Sequence, residues 1–449
     1  MTDTTVSGQP GARVALGMST LHFTACFAVW TIFSIIGLRI KTDLGLTDAE
    51  FGLLAGTPIL TGSLARLPLG VWADQFGGRR VNLAATLVAA GSAFLLSYGH
   101  SYLQFLLAAL GLGLAGATFS VGVGYVSKFY PPKQQGTALG VFGAGNLGAA
   151  LTNLAAPLVL LAMGWQAVAQ IWAATLAIVA VLVFFVTRDE PELARRRALK
   201  QKPRSMLEQL APLRRLQVWR FALYYFFVFG ASVALALWLP RYLIGVYKLD
   251  IRTAGMMAAA FSTPAALFRI FGGWLSDRIG ARTVMYLTFG VSLAAAFVLS
   301  YPATTYVVDG IDGPIQFRVA TALPVFTVLI FTLGFFMALG MAAVFKHIPV
   351  YYPEHIGAVG GVVGMIGGLG GFVLPIAFGA LNDLTHVWTS CFMLLFILVG
   401  TALAWMHVAV LRMEREHAPT LAELPQLPEM AQLHFEDPHR PAGVKAAAE

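Results

Sequence analysis

Two arginines, Arg66 and Arg269, stand inside long apolar runs of a 449-residue chain. An arginine at the centre of a membrane helix costs roughly 2.5–3.5 kcal/mol on insertion scales, and such residues mark functional pathways. The guanidinium is a planar fork of N–H donors that can hold two oxygens of a planar anion at once. The cores of the surrounding apolar runs contain no Asp or Glu, so neither arginine has an acidic partner in view. A small anion brought from outside would supply the missing charge. The plainer reading is that both donate to backbone carbonyls as helix glue.

The spacing around the arginines repeats. Arg66, Gly70, Asp74, Gly77 and Arg79 form Arg-x3-Gly-x3-Asp-x2-Gly-x-Arg, and Arg269, Gly273, Asp277, Gly280 and Arg282 form it again, 203 residues later at every position. A second echo joins Tyr130, Pro132, Gly136, Gly140 and Gly143 to Tyr351, Pro353, Gly357, Gly361 and Gly364, at an offset of 221. Two six-helix halves related by a pseudo-two-fold axis explain both. The difference of 18 calls for an insertion in the second half, and 301–318 is its place, outside the cytoplasm. Arg66 precedes Asp74 by eight residues, about 12 Å along a helix. The half-thickness of the hydrocarbon core is about 15 Å, so the guanidinium lies near its middle.

The elements that must hold these residues are membrane helices. The chain is 57% hydrophobic and 12% charged, with a mean hydropathy of +0.72, too little charge for a soluble surface. Twelve apolar segments are expected near 15–38, 50–72, 80–98, 103–127, 137–161, 166–187, 220–244, 254–276, 283–300, 320–345, 356–380 and 388–411. The fold class is therefore an all-α polytopic membrane protein. Its expected parts are a six-helix bundle over 1–187, a cytoplasmic linker over 188–219, a second bundle over 220–411 and a disordered cytoplasmic tail over 412–449. The net charge of +8 lies in short loops such as Gly78-Arg79-Arg80, Lys128 with Lys133, and Arg278 with Arg282. That pattern places both termini in the cytoplasm and removes a nucleic-acid reading. The two cysteines fall in apolar runs, against a disulfide framework or a metal site. No cofactor is called for, and no nucleophile–base pair or phosphate loop suggests an enzyme.

Gly70-x3-Asp74-x2-Gly77-x-Arg79-Arg80 resembles the signature loop of the major facilitator superfamily, and Gly273 to Arg282 resembles its weaker second copy. The resemblance implies a twelve-helix transporter in which Asp74, Arg79, Asp277 and Arg282 act at the cytoplasmic gate, through a charge pair or a helix-end contact. Within the superfamily the chain is similar to the nitrate/nitrite porters of NarK type. That likeness rests on the paired arginines, on the glycine-rich stretches 140–148 and 360–371, and on Leu223-Tyr-Tyr-Phe-Phe-Val-Phe-Gly230. It implies that Arg66, Arg269, Tyr225 and Phe229 bind the anion. Tyr225 and Phe229 share a helix face, though position alone favours ordinary packing. Asn146 is an amide donor to the anion or an interhelical hydrogen bond. Gly143, Gly145, Gly364 and Gly367 are expected to shape the pocket rather than touch the ion.

The resemblance implies secondary transport of nitrate, with nitrite as a further substrate, by a monomer in the inner (cytoplasmic) membrane. Coupling is expected to be proton symport, with nitrate/nitrite antiport as the alternative. The Phe345-Lys-His-Ile-Pro349 stretch looks more like the symporters, and His22, Lys346, His347 and Glu354 are the titratable candidates. An organic-anion or organophosphate exchanger would need a wider pocket with more Lys or His. A non-transporting anion sensor would carry a long signalling domain, and the tail here is short.

Overall fold

The computed structural model describes residues 11–191 and 210–417, with 193, 195, 199 and 208 between them. The basic residues Arg196, Arg197, Lys200, Lys202 and Arg204, and the tail from 418 onward, lie outside the described residues. Helix α1 comprises Ala12–Trp30 and Phe33–Leu44, and α2 comprises Asp48–Leu64 and Arg66–Phe76. Next come α3 (Gly78–Leu96), α4 (Tyr102–Ser127), α5 (Pro132–Gly143, a tight turn Ala144–Leu147, and Gly148–Met163) and α6 (Trp165–Val186). Then follow α7 (Leu216–Tyr225, a wide turn Phe226–Ala231, and Ser232–Tyr247), α8 (Ile251–Ile279) and α9 (Ala281–Ser300). A hairpin, β1 (Thr304–Gly310) and β2 (Gly313–Val319), precedes α10 (Leu323–Tyr351), α11 (Ile356–Thr385) and α12 (Ser390–His417). Among the described residues, nine helical stretches are long and apolar enough to cross a membrane. The remaining long ones, α2, α3 and α8, carry the charged repeat or adjoin it.

Several irregularities have a local cause. Thr31 donates its hydroxyl to the Phe27 carbonyl at 3.0 Å where α1 bends, a back-bond that commonly bends helices. In α2, Pro68 has no N–H for the Leu64 carbonyl, and the helix breaks at Ala65, beside Arg66. The wide turn in α7 is π-helical, a form that concentrates at functional sites. Sharp turns separate α2 from α3 and α8 from α9, with Gly77 at φ 95° and Gly280 at φ 85°. Only glycine takes such angles freely, which explains why both copies of the repeat keep it.

Two expected boundaries shift. Helix α10 runs through Tyr351, so Lys346 and His347 lie within it rather than at its end, and α12 continues to His417 past the expected start of the tail. The 301–318 insertion carries a β-hairpin.

The halves meet along small residues. Arg66–Phe76 packs on α11, and Pro132–Gly143 packs on α8. A Cβ on Gly70 would lie 2.1 Å from the Gly357 carbonyl oxygen, and one on Gly273 would lie 2.1 Å from that of Gly136. Backbones this close need glycine on both sides.

Candidate functional site

The two arginines converge. Arg66 and Arg269 are each 1% exposed. Their guanidinium carbons lie 5.4 and 5.6 Å from the centre of one ring, Phe119 on α4. Arg66 also lies 5.3 Å from the ring of Phe229. A dry cation over an aromatic face gains about 2 kcal/mol, which offsets part of the burial cost. Among the described residues neither guanidinium has a carboxylate in salt-bridge reach.

The two differ in how far they are satisfied. Arg66 donates from Nη1 to the Gly364 carbonyl at 2.6 Å and from Nε to the Gly116 carbonyl at 3.4 Å. The helix-glue reading thus holds for part of this fork. Arg269 keeps Nε and Nη1 buried with no partner. So do the Tyr225 hydroxyl, the Ser120 hydroxyl and the Asn146 amide oxygen. Buried polar groups are nearly always hydrogen-bonded, so the unpartnered Arg269 N–H groups and the Tyr225 and Ser120 hydroxyls stand out as spare donors. The unpartnered Asn146 atom is instead its amide oxygen, an acceptor, and not the amide donor expected from the sequence.

The glycines place the arginines. A Cβ on Gly143 would meet Arg269 Nε at 2.7 Å, and a Cβ on Gly364 would meet Arg66 Cδ and Ser120 Oγ at 3.2 Å. Each arginine therefore lies in a glycine notch of the other half, and Gly143 and Gly364 are the same position in the second echo. Gly367 gives room to the Tyr225 ring, which a Cβ there would meet at 2.2 Å. Gly145 instead faces Phe23, away from the arginines. Tyr225 and Phe229 stack at 5.1 Å, as their shared helix face requires. Asn146 lies one turn beyond Gly143 in the tight turn of α5.

Sequence reasoning missed several lining residues. Phe119 is central, touching Phe142, Tyr225 and Phe345 as well as both cations. Phe345 stands edge-on to Tyr225 at 4.7 Å, and Gly368 leaves space beside Arg66 Nη1. The one available signal was the phenylalanine within the glycine-rich part of α4.

The residues expected at the gate pair differently from a simple Asp74–Arg79 contact. Asp74 accepts from the Gly357 and Ala358 amides at 2.8 and 3.2 Å and pairs with Lys128 at 3.1 Å. It caps the start of α11, where unsatisfied amides and the helix dipole favour an anion. Arg79 turns away, 3.6 Å from Asp189, and donates to the Phe184 carbonyl. Asp277 mirrors Asp74 by accepting from the Gly136 and Thr137 amides near the start of α5 at 3.0 and 2.6 Å. Lys346, 2% exposed, binds both Asp277 and the Pro132 carbonyl, so Asp277 rather than Glu354 is its partner. Arg282 is buried at the start of α9. His22 contacts Thr86 at 2.8 Å, and His347 lies between Phe221 and Tyr351.

This helical fold, with two buried arginines converging on one ring, is matched by the Major Facilitator Superfamily model over residues 18–315 and 247–442. The chain belongs to that superfamily and is a multi-pass membrane protein. Solved structures share the fold: the human organic anion transporter MFSD10 (TETRAN), at TM-score 0.66 and 17% identity, covers 87% of this chain and 100% of its own. The E.coli fucose:proton symporter, at TM-score 0.66 and 14% identity, covers 89% and 99%. A Thermus thermophilus relative named "Probable nitrate/nitrite antiporter NarK1" is 40% identical over 92% of this chain and 95% of its own. A Mycobacterium tuberculosis relative named "Probable nitrate/nitrite transporter NarK2" is 33% identical over 88% and 94%. A Bacillus subtilis "Nitrite extrusion protein" is 29% identical over 85% and 91%. Within the superfamily, the chain belongs to the nitrate/nitrite porter family.

Proposed function

We propose that this chain carries nitrate, and nitrite in the same site, across the cytoplasmic membrane by alternating access, without chemical conversion. The observation that carries the reading is the Arg269 fork with Nε and Nη1 unpartnered, set with Arg66 against Phe119 and beside the Tyr225 hydroxyl. A trigonal anion held between forks from opposite halves would tie both halves to the cargo. Phe119, Tyr225, Phe229 and Phe345 crowd the site and favour an ion of few atoms over an organophosphate. The moving bodies are taken as 1–187 and 220–411, joined by 188–219, with both termini cytoplasmic. One chain supplies every residue of the site, in keeping with a monomer.

Exchange of nitrate for nitrite is the coupling we favour here, in place of the symport expected from the sequence. Lys346 is engaged by Asp277 and His22 by Thr86, and two relatives are named for antiport or extrusion. Proton symport is the alternative, supported by the likeness of 345–349 to that of symporters. Proteoliposomes decide between them. Uptake of external nitrate that needs internal nitrite supports exchange, and uptake that follows an inward proton gradient without nitrite supports symport. Absence of nitrate movement in both formats would refute the function.

A further inference from the structure

The β1–β2 hairpin occupies the insertion between α9 and α10, and the gate and the anion site make no use of it. Its register sorts side chains by chemistry. Pairs Thr304–Val319, Tyr306–Phe317 and Val308–Ile315 share one face, and pairs Thr305–Arg318, Val307–Gln316 and Asp309–Pro314 share the other. The first face is apolar except for Thr304. Tyr306 and Phe317 stack on it at 5.5 Å, and Tyr306, Val308, Ile315, Phe317 and Val319 are nonetheless 37–58% exposed. A lone two-stranded hairpin is marginal in water, and needs something against its apolar face.

We propose that this face rests on the outer surface of the bilayer, as an interfacial anchor of the second half. Three residues, 301–303, join β1 to α9, and three, 320–322, join β2 to α10, so the base of the hairpin is held at the membrane boundary. The ends of those helices already present apolar side chains outward, with Phe297, Val298, Val325 and Val328 all exposed. The hairpin continues that apolar surface. An aromatic pair on one side and Arg318, Gln316 and Asp309 on the other match the amphipathic chemistry of the headgroup region. An aromatic side chain buries about 150–250 Å² at most. Five half-exposed side chains therefore fall short of the roughly 800 Å² per partner of a stable protein interface.

The native cysteines are both buried, so a single introduced cysteine takes a spin label alone. Ile315→Cys, Phe317→Cys and Gln316→Cys are labelled in the full chain, in vesicles of phosphatidylethanolamine and phosphatidylglycerol. Each label's collisions with oxygen, which concentrates in lipid, are compared with those of a water-soluble nickel chelate. The expected oxygen-to-nickel ratio is at least threefold higher at 315 and 317 than at 316. Equal ratios at all three positions overturn the proposal. So does spectral broadening at 315 that vanishes on dilution with unlabelled protein, which would put a second copy on this face.

Discussion

Gly143→Ala isolates the fit of an arginine from the fold that holds it. Gly143 has φ −65° and ψ −21°, a helical conformation that alanine favours by about 1 kcal/mol. The added methyl would lie 2.7 Å from Arg269 Nε and 2.8 Å from Cζ, where ordinary contact begins at 3.4 Å. The guanidinium is the free end of a flexible chain, so it yields and the protein folds with unchanged or raised stability. It moves by about 0.7 Å, enough to break one charge-assisted hydrogen bond to the anion, worth about 1.5–3 kcal/mol. At 1.4 kcal/mol per tenfold, nitrate affinity falls roughly 10- to 150-fold. Gly364→Ala is the internal control. Its methyl would meet Arg66 Cδ at 3.2 Å but Nη1 only at 3.7 Å, so a loss of no more than about threefold is expected. Nitrate binding by calorimetry, beside thermal unfolding of the same samples, reads both quantities. Equal affinities in the two variants and the parent, or a larger loss at Gly364, would refute the notch argument.

Other substitutions probe the rest of the site. Arg66→Lys keeps the charge but loses the fork and its bonds to Gly364 and Gly116, and nitrate affinity should fall at least tenfold; unchanged binding would make the arginine structural. Tyr225→Phe removes an unpartnered hydroxyl, so unfolding temperature should hold while the KM for nitrate rises about three- to tenfold; destabilisation without a KM change would contradict this role. Asp277→Asn strips the buried Lys346 of its counter-charge, at a cost of about 3–5 kcal/mol to the packing of α5 on α8. Spin–spin distances between α5 and α8 should lengthen at their Asp277 end. Asp74→Asn should do less at its own contact, because Lys128 keeps some solvent.

Much of this site could be read before any coordinates, because it is written twice. A repeat at constant offset places Arg66 and Arg269 at matching depth whatever the details of packing, and the count of 18 extra residues located the hairpin. The hairpin itself had a sign that went unread: Tyr306 and Val308, then Ile315, Phe317 and Val319, alternate about a Gly310-Ile311-Asp312-Gly313 turn. Phe119 was out of reach, since nothing local distinguishes a ring between two cations from any other buried phenylalanine. The Lys346–Asp277 pair joins helices 69 residues apart, a proximity that only the tertiary fold creates. Asp74 and Arg79 lie five apart and invite pairing, but the free amides of α11 and the Asp189 carboxylate each offer a better partner.

The capping aspartates and the glycine notches are exchanged between halves, and that exchange has the form of an isologous contact. A six-helix ancestor bearing one Arg-x3-Gly-x3-Asp and one glycine run would have built this core as a homodimer. Each copy would have capped its partner's helix and cradled its partner's arginine. Fusion of two such copies would have needed no new contact and would have let them diverge. Lys346 lies 218 rather than 221 residues from Lys128, one helical turn off the symmetric place, and so marks where the former twins stopped being interchangeable.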